Sequence, residues 1–334
     1  MSLSQRNVLI GCIAAFVLTA AGAVLLWKFG LGEGTGPSGG RLSGQFSYDI
    51  SELEGIGDDL LGYNQVRKMP AAVDKPRAIA IGSDDTLYVA GDSRIRAFDA
   101  KGETVKEFRI QGQATCLAVA DDGVLYVGVD DHVAVYDPDA QKTVQWDNFD
   151  KSAILTSIAV TEDELYVADP GGPVVYRFDR TGRLLGRLGE QDEQKNIPGL
   201  MIRSPCLDVA VGDDGLIRVT NPGRWRVETY TPGGSLELSW GEPSMRDIEG
   251  FCGCCNPTDV AVLSDSRVVT AEKGLPRVKL YDAHGEFQCV VAPTSMFDPR
   301  TNRLDLAVDS QDRIYVLDAI ESQVRVFEPN GGSE

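Results

Sequence analysis

One pattern recurs six times along this chain, and no other feature restricts its fold as much. Its first piece is an apolar triplet centred on alanine: Ile79-Ala80-Ile81, Leu117-Ala118-Val119, Ile158-Ala159-Val160, Val209-Ala210-Val211, Val260-Ala261-Val262 and Leu306-Ala307-Val308. An acidic or glycine turn then leads into a second apolar segment, as in Asp84-Asp85-Thr86-Leu87-Tyr88-Val89. A third segment ends in an aromatic–acid pair (Phe98-Asp99, Tyr136-Asp137, Phe178-Asp179, Tyr281-Asp282), and a fourth follows a polar hairpin. The triplets start at positions 79, 117, 158, 209, 260 and 306, so successive repeats are 38, 41, 51, 51 and 46 residues apart. Such a period holds one four-stranded sheet, and six in series predict an all-β, six-bladed β-propeller. The recurring alanine has a physical reason: six first strands crowd the axis, where only small side chains fit. The last repeat supplies three strands before Pro329-Asn330-Gly331-Gly332, so the segment near Tyr63-Asn64-Gln65-Val66-Arg67-Lys68 is expected to complete it and remove an open edge. The propeller is then expected over residues 46–332.

This pattern resembles the NHL repeat, an apolar-Ala-Val strand followed by a strand ending in Val-Ala-Asp and an Arg-bearing third strand. Leu165-Tyr166-Val167-Ala168-Asp169 and Pro276-Arg277-Val278-Lys279-Leu280-Tyr281-Asp282 carry the likeness most closely. The second blade departs from it, with Val129 where others have Asp169, Asn221, Glu272 or Asp318. These turn residues are expected to pair with a neighbouring arginine such as Arg94, Arg226 or Arg277. The run Phe251-Cys252-Gly253-Cys254-Cys255-Asn256-Pro257, followed by Glu272 to Arg277, resembles a group of bacterial NHL proteins. The resemblance implies the fold and no activity, because NHL-like propellers include protein-binding platforms, RNA-binding domains and lyases, and related six-bladed propellers include metal-dependent lactonases.

Ahead of the repeats, Val8 to Trp27 is twenty residues without a charge. At about 1.5 Å per residue it spans roughly 30 Å, the hydrocarbon thickness of a bilayer. Ala21-Gly22-Ala23 resembles a signal-peptide cleavage site, yet the apolar run continues through Trp27, which favours a retained transmembrane anchor over residues 8–28 after a short segment 1–7. Leu9-Ile10-Gly11-Cys12 has a lipid-attachment pattern, but the apolar run follows this cysteine instead of preceding it. Residues 29–45 are rich in Gly and Ser and read as a flexible tether. A single-pass membrane protein with its propeller on the extracytoplasmic, periplasmic side is the expectation. The net charge of −18 repels phosphate backbones and argues against nucleic acid. Two histidines, His132 and His284, are too few for three-His zinc sites and read as turn residues.

Two constellations stand out as candidate sites. Aligned on the recurring alanine, the residue two places earlier reads Ala78, Cys116, Ser157, Asp208, Asp259 and Asp305, which strand alternation turns toward the axis. Three carboxylates at one tier repel one another unless something compensates. They either hold a hard cation, Ca²⁺ for choice, or a polar ligand, or they accept backbone N–H bonds from the adjacent blade; the latter is favoured. Second, Cys252, Cys254 and Cys255 lie just before the fifth blade, and Cys206 begins the inner strand of the fourth. Outside the cytoplasm disulfides are the default, and a bond within this group is favoured over a copper, zinc or iron–sulfur site. Cys116 and Cys289 read as buried free thiols. The connections carrying the cluster, 189–206 and 241–256, are the longest, and long loops on one face usually carry binding. The expected function is a monomeric, membrane-tethered platform for a protein or small-molecule ligand. A metal-dependent lactonase or hydrolase using Asp208, Asp259 and Asp305 is the alternative, and a redox or metal-handling role for the cysteines is a third. No nucleophile–base set is readable.

Overall fold

Turn chemistry explains how each blade is made. The aspartate that follows the aromatic residue of a third strand takes two backbone donors the hairpin would leave unpaired. Asp99 Oδ1 accepts the N–H groups of Lys101 and Glu103, both at 2.9 Å. Asp282 Oδ1 accepts those of His284 and Glu286 at 2.8 and 2.9 Å. Gly285 closes the latter hairpin with φ 90°, and a Cβ there would stand 2.3 Å from the Trp240 ring. Only glycine satisfies both demands. The aromatic partners Phe98, Phe178 and Tyr281 point inward and are buried.

The computed structural model describes residues 55–146, 149–150 and 152–331. After β1 (Tyr63–Pro70) come five blades of four consecutive antiparallel strands. They are β2 (Ala78–Ile81) to β5 (Thr104–Arg109), β6 (Ala114–Val119) to β9 (Lys142–Trp146), and β10 (Ser157–Val160) to β13 (Leu184–Leu188). The fourth runs from β14 (Val209–Val211) to β17 (Leu236–Trp240), the fifth from β18 (Asp259–Val262) to β21 (Phe287–Ala292). The sixth sheet has the order β1-β24-β23-β22, with β22 (Leu304–Val308), β23 (Ile314–Asp318) and β24 (Gln323–Pro329). The protein is thus an all-β, six-bladed propeller. The chain's first described strand supplies the outer strand that the last repeat lacks, with Tyr63 opposite Pro329 and Pro70 opposite Gln323 across a bulge at Gln65/Arg67.

The inner strands β2, β6, β10, β14, β18 and β22 each pack against the next, and β22 packs against β2, so the ring is closed. Hydrogen bonds fasten its seam. Asp85 of the first blade accepts the Ser310 N–H and hydroxyl of the sixth at 2.9 and 2.8 Å, and Asp312 of the sixth accepts those of Ser264 in the fifth at 2.8 and 2.7 Å. Aromatic side chains fill the wedges between blades, as where Trp240 lies 4.7 Å from Tyr281. The described helices are three 3₁₀ turns, Asp58–Leu60, Pro222–Arg224 and Thr294–Met296. No described helix is long and apolar enough to cross a membrane. The expected anchor at 8–28 and tether at 29–45 lie outside the described residues.

Candidate functional site

All inner strands begin at one end of the ring, called here the upper face. Alternation along them sets the axial tiers. The alanines Ala80, Ala118, Ala159, Ala210, Ala261 and Ala307 line a channel of about 250 Å³, and above them stand Asp208, Asp259, Asp305, Ser157, Cys116 and Ala78. The alignment placed these residues together, and together they lie. Each carboxylate reaches to the next blade: Asp208 Oδ2 accepts the Val260 N–H at 2.6 Å, Asp259 Oδ1 that of Leu306 at 3.0 Å, and Asp305 Oδ2 that of Ile79 at 2.7 Å. Ser157 continues the series, bonding the Val209 N–H at 3.3 Å. These inner-strand donors would otherwise be buried without partners, so the tier stitches blades.

The compensating charge is Arg303, a residue the sequence reading missed. It stands two residues before Asp305, so the same alternation turns it to the axis one tier higher. Its Nη2 donates to the Thr156 carbonyl at 3.0 Å and lies 3.4 Å from Asp305 Oδ1. Thr156 precedes the third inner strand, diametrically opposite the sixth, so this side chain spans the opening. One guanidinium cannot offset three carboxylates. Burial pushes Asp208 up to about 7, with the Asp305 charge adding to it and the Ser157 hydroxyl opposing. Burial and the charges of Asp208 and Asp305 raise Asp259, and burial raises Asp305 against the opposing pull of Arg303. No group of three or more His, Cys, Asp or Glu side chains among the described residues is placed to hold a metal ion. The tier carboxylates thus take the backbone-accepting role that the alignment favoured.

Above Arg303 the upper face is hollowed at the axis into a cavity of about 300 Å³. Ile154, Leu155, Leu317 and Ala319 give it apolar walls, Pro76 and Pro205 give it rigid ones, and Arg77 and Arg303 supply donors. The Nε of Arg77 is buried without a partner. Ile154 and Ile320 remain 46 % exposed, and Met245 on the second long connection is 49 % exposed. These apolar side chains stand exposed on one face.

The long connections are held from below. Asp169, Asn221 and Glu272, the turn residues expected to pair with arginines, each grip the connection leading into their own blade. Asp169 Oδ1 accepts the Ile154 N–H at 2.9 Å, Asn221 Oδ1 that of Met201 at 2.9 Å, and Glu272 Oε2 that of Cys252 at 2.8 Å. Only Glu272 also pairs as expected, with Arg277 at 2.8 and 3.2 Å. Arg94 instead pairs with Glu107, and Arg226 bonds Ser239. Val129 offers no acceptor. Lys279, also unforeseen, completes a fully buried cluster: its Nζ lies 2.9 Å from Glu272 Oε1 and donates to the Ile248 and Gly250 carbonyls at 2.9 and 2.8 Å. Burial lowers Lys279 to about 8.

All six described cysteines are free thiols, so the bond expected within the group of Cys206, Cys252, Cys254 and Cys255 is not formed here. Their surroundings differ. Cys206 Sγ lies 4.0 Å from Lys273 Nζ, Cys252 Sγ lies 3.7 Å from Met245 Sδ, Cys254 is exposed and Cys255 is buried. Closeness in sequence does not aim sulfurs at one another, and Cys255 holds a left-handed φ of 65° that turns the chain between neighbours. Burial raises Cys116 to about 12 and Cys289 above its usual value, in keeping with thiols.

The fold defines the class, a six-bladed β-propeller, and solved propellers share it. No protein-family model and no curated protein matches the sequence. Among solved structures, a streptogramin B lyase superposes with a TM-score of 0.58 at 11 % identity, covering 82 % of this chain and 100 % of that one. A catalytically inactive virginiamycin B lyase from Staphylococcus aureus with quinupristin gives a TM-score of 0.55 at 11 % identity, covering 80 % of this chain and 88 % of that one. At such identity the likeness is one of fold alone.

Proposed function

We propose that this protein is a binding platform of NHL type, held at a membrane by residues 8–28 with its propeller on the periplasmic side, and that the upper face takes up a protein or small-molecule ligand. The observation that carries the reading is the axial cavity of about 300 Å³. It joins apolar walls to two guanidinium groups, the mixture of apolar surface and few polar anchors that ligand sites use. Pro205, near the end of the long connection 189–206, forms part of its wall. A hydrolase at the central opening is the weaker reading, because each tier carboxylate is engaged with backbone and no nucleophile–base pair faces the cavity.

A thermal-shift panel of small carboxylates, amides and short peptides on the full-length protein tests the proposal. Ligands that raise the melting temperature of the wild type should lose that effect in Ile154→Asp and Arg77→Gln, both altered at the cavity wall. Responses unchanged in both variants would place the site elsewhere.

A further inference from the structure

In a chain of net charge −18, the upper axial cavity gathers positive charge. The guanidinium groups of Arg77 and Arg303 line it against a single carboxylate, that of Asp305. This carboxylate already accepts the Ile79 N–H at 2.7 Å. The carboxyls beside it offset only part of the positive charge, because burial raises Asp208 to about 7 and holds Asp259 well above its usual range. Asp92 stands 3.6 Å from Arg77 but is held more closely by Lys75, at 2.8 Å.

Arg303 has donors to spare. Its Nη2 is engaged with the Thr156 carbonyl at 3.0 Å and with Asp305 Oδ1 at 3.4 Å. Its Nε and Nη1 make no hydrogen bond among the described residues, and neither is sealed from solvent. A guanidinium held at one end presents its remaining N–H groups in a fixed fork, which suits a planar carboxylate. Asn302, the neighbour of Arg303 in the chain, also lines the cavity and is exposed.

Much of the remaining wall is hydrocarbon, from Ile154, Leu155, Leu317 and Ala319. A volume of about 300 Å³ lies at the lower end of the range for ligand pockets, so the occupant is a head group with a short apolar body. A phosphate dianion fits poorly. It would meet Asp305 with twice the charge and lay its hydration shell against apolar wall.

We propose that this cavity binds a carboxylate carried on a short apolar body, with the charged oxygens on Arg303 and the hydrocarbon against Ile154 and Ala319. A small apolar acid offers such a group, and so does the C-terminal residue of a peptide. The inference rests on the binding-platform reading of the same cavity and names the chemistry that the platform takes up.

Thermal melts of the full-length protein in detergent, at constant ionic strength, compare hexanoate with hexanamide and hexylamine. Apparent affinities follow from the rise of the melting temperature with concentration. Hexanoate should bind at least tenfold more tightly than either analogue, the scale set by hydrogen bonds to a charged group. Arg303→Gln should bring hexanoate down to the level of hexanamide. Ile154→Asp, at a position 46 % exposed, should keep the melting temperature of the ligand-free protein and weaken hexanoate at least tenfold. Arg203→Gln, at an exposed arginine outside the cavity lining, should match wild type. The tripeptide acetyl-Gly-Gly-Leu and its C-terminal amide separate the two sources. Tighter binding of the free-acid tripeptide than of hexanoate assigns a peptide terminus, and weaker binding assigns a small acid. Equal affinity for hexanoate and hexanamide, or equal stabilisation by inorganic phosphate, would overturn the proposal and leave the platform reading standing. Hexanoate binding that survives in Ile154→Asp would overturn it by placing the carboxylate site elsewhere. No response to hexanoate or to the tripeptide acid would overturn it as well, and the platform reading falls only if the wider ligand panel is also silent.

Discussion

Replacing Asp208 with asparagine separates the stitching role of the axial tier from its charge. The amide oxygen can still accept the Val260 N–H, now made at 2.6 Å, and the amide nitrogen can donate to Ser157. What disappears is a carboxyl that burial moves from 3.8 to about 7. Because the folded state binds this proton more tightly than the unfolded state, its stabilising contribution is complete below pH 4. It is lost as pH rises toward 7. The displacement from 3.8 to about 7 corresponds to roughly 4 kcal/mol as an upper limit, about 2.5 kcal/mol of it between pH 5 and pH 8. The groups facing Asp208 around the axis are Ser157, Asp259, Asp305 and Arg303, and they will shift in turn, which spreads the effect over a wider range. Urea unfolding followed by tryptophan fluorescence at pH 5 and pH 8 reads the difference. Asp208→Asn should gain stability relative to wild type as pH rises, with the m-value unchanged. An identical stability difference at both pH values would refute the claim that the tier is held partly protonated.

Glu272→Gln leaves Arg277 and Lys279 buried without an anion and should cost about 3–5 kcal/mol in urea unfolding. Arg303→Met removes the guanidinium that faces the tier; it should lower the melting temperature more at pH 8 than at pH 5, where Asp208, raised to about 7, is protonated, and an equal loss at both would place the arginine's role in packing. Deletion of residues 1–44 should leave a cooperative melt, whereas deletion through Met69 removes β1 and exposes the β24 edge. Identical melts of the two truncations would show that β1 is dispensable to closure. Gly285→Ala forces a Cβ against Trp240 and should destabilise by about 1–3 kcal/mol, whereas Gly274→Ala, with open space around it, should be affected only through its φ of 83°.

What the sequence made legible was what repeats. Period-two alternation anchored on the six alanines placed Asp208, Asp259 and Asp305 on the axis without any structure, because a strand offers only two directions. Arg303 obeyed the same rule and was still missed, since its tier holds unlike residues (Pro76, Leu155, Cys206) and shows no repeat to align. The loops were less transparent. Nothing periodic governs 241–256, so the approach of Met245 to Cys252 depends on a backbone path fixed by Glu272, Asn256 and Trp225, three residues far apart in sequence. For the same reason the cysteines, adjacent in the chain, are not bonded to one another. The turn acids were read as arginine partners because arginines stand near them in sequence. Unpaired N–H groups of the incoming connections, invisible in a sequence, claimed Asp169 and Asn221 instead.

The seam between β1 and β24 also has a temporal meaning. Arg325 reaches Gln65 across 260 positions, and Asp305 reaches Ile79 across 226. A ribosome makes β1 first and its partner last, so the outer strand must wait unpaired while five blades emerge. Contacts of such long reach slow folding, because the loop must be closed before they contribute. The ring can therefore close only after β24 has emerged, and a message truncated before Gln323 would yield an open arc with two sticky edges. Closure of the ring thus waits on β24, whose arrival converts a string of sheets into one cooperative body.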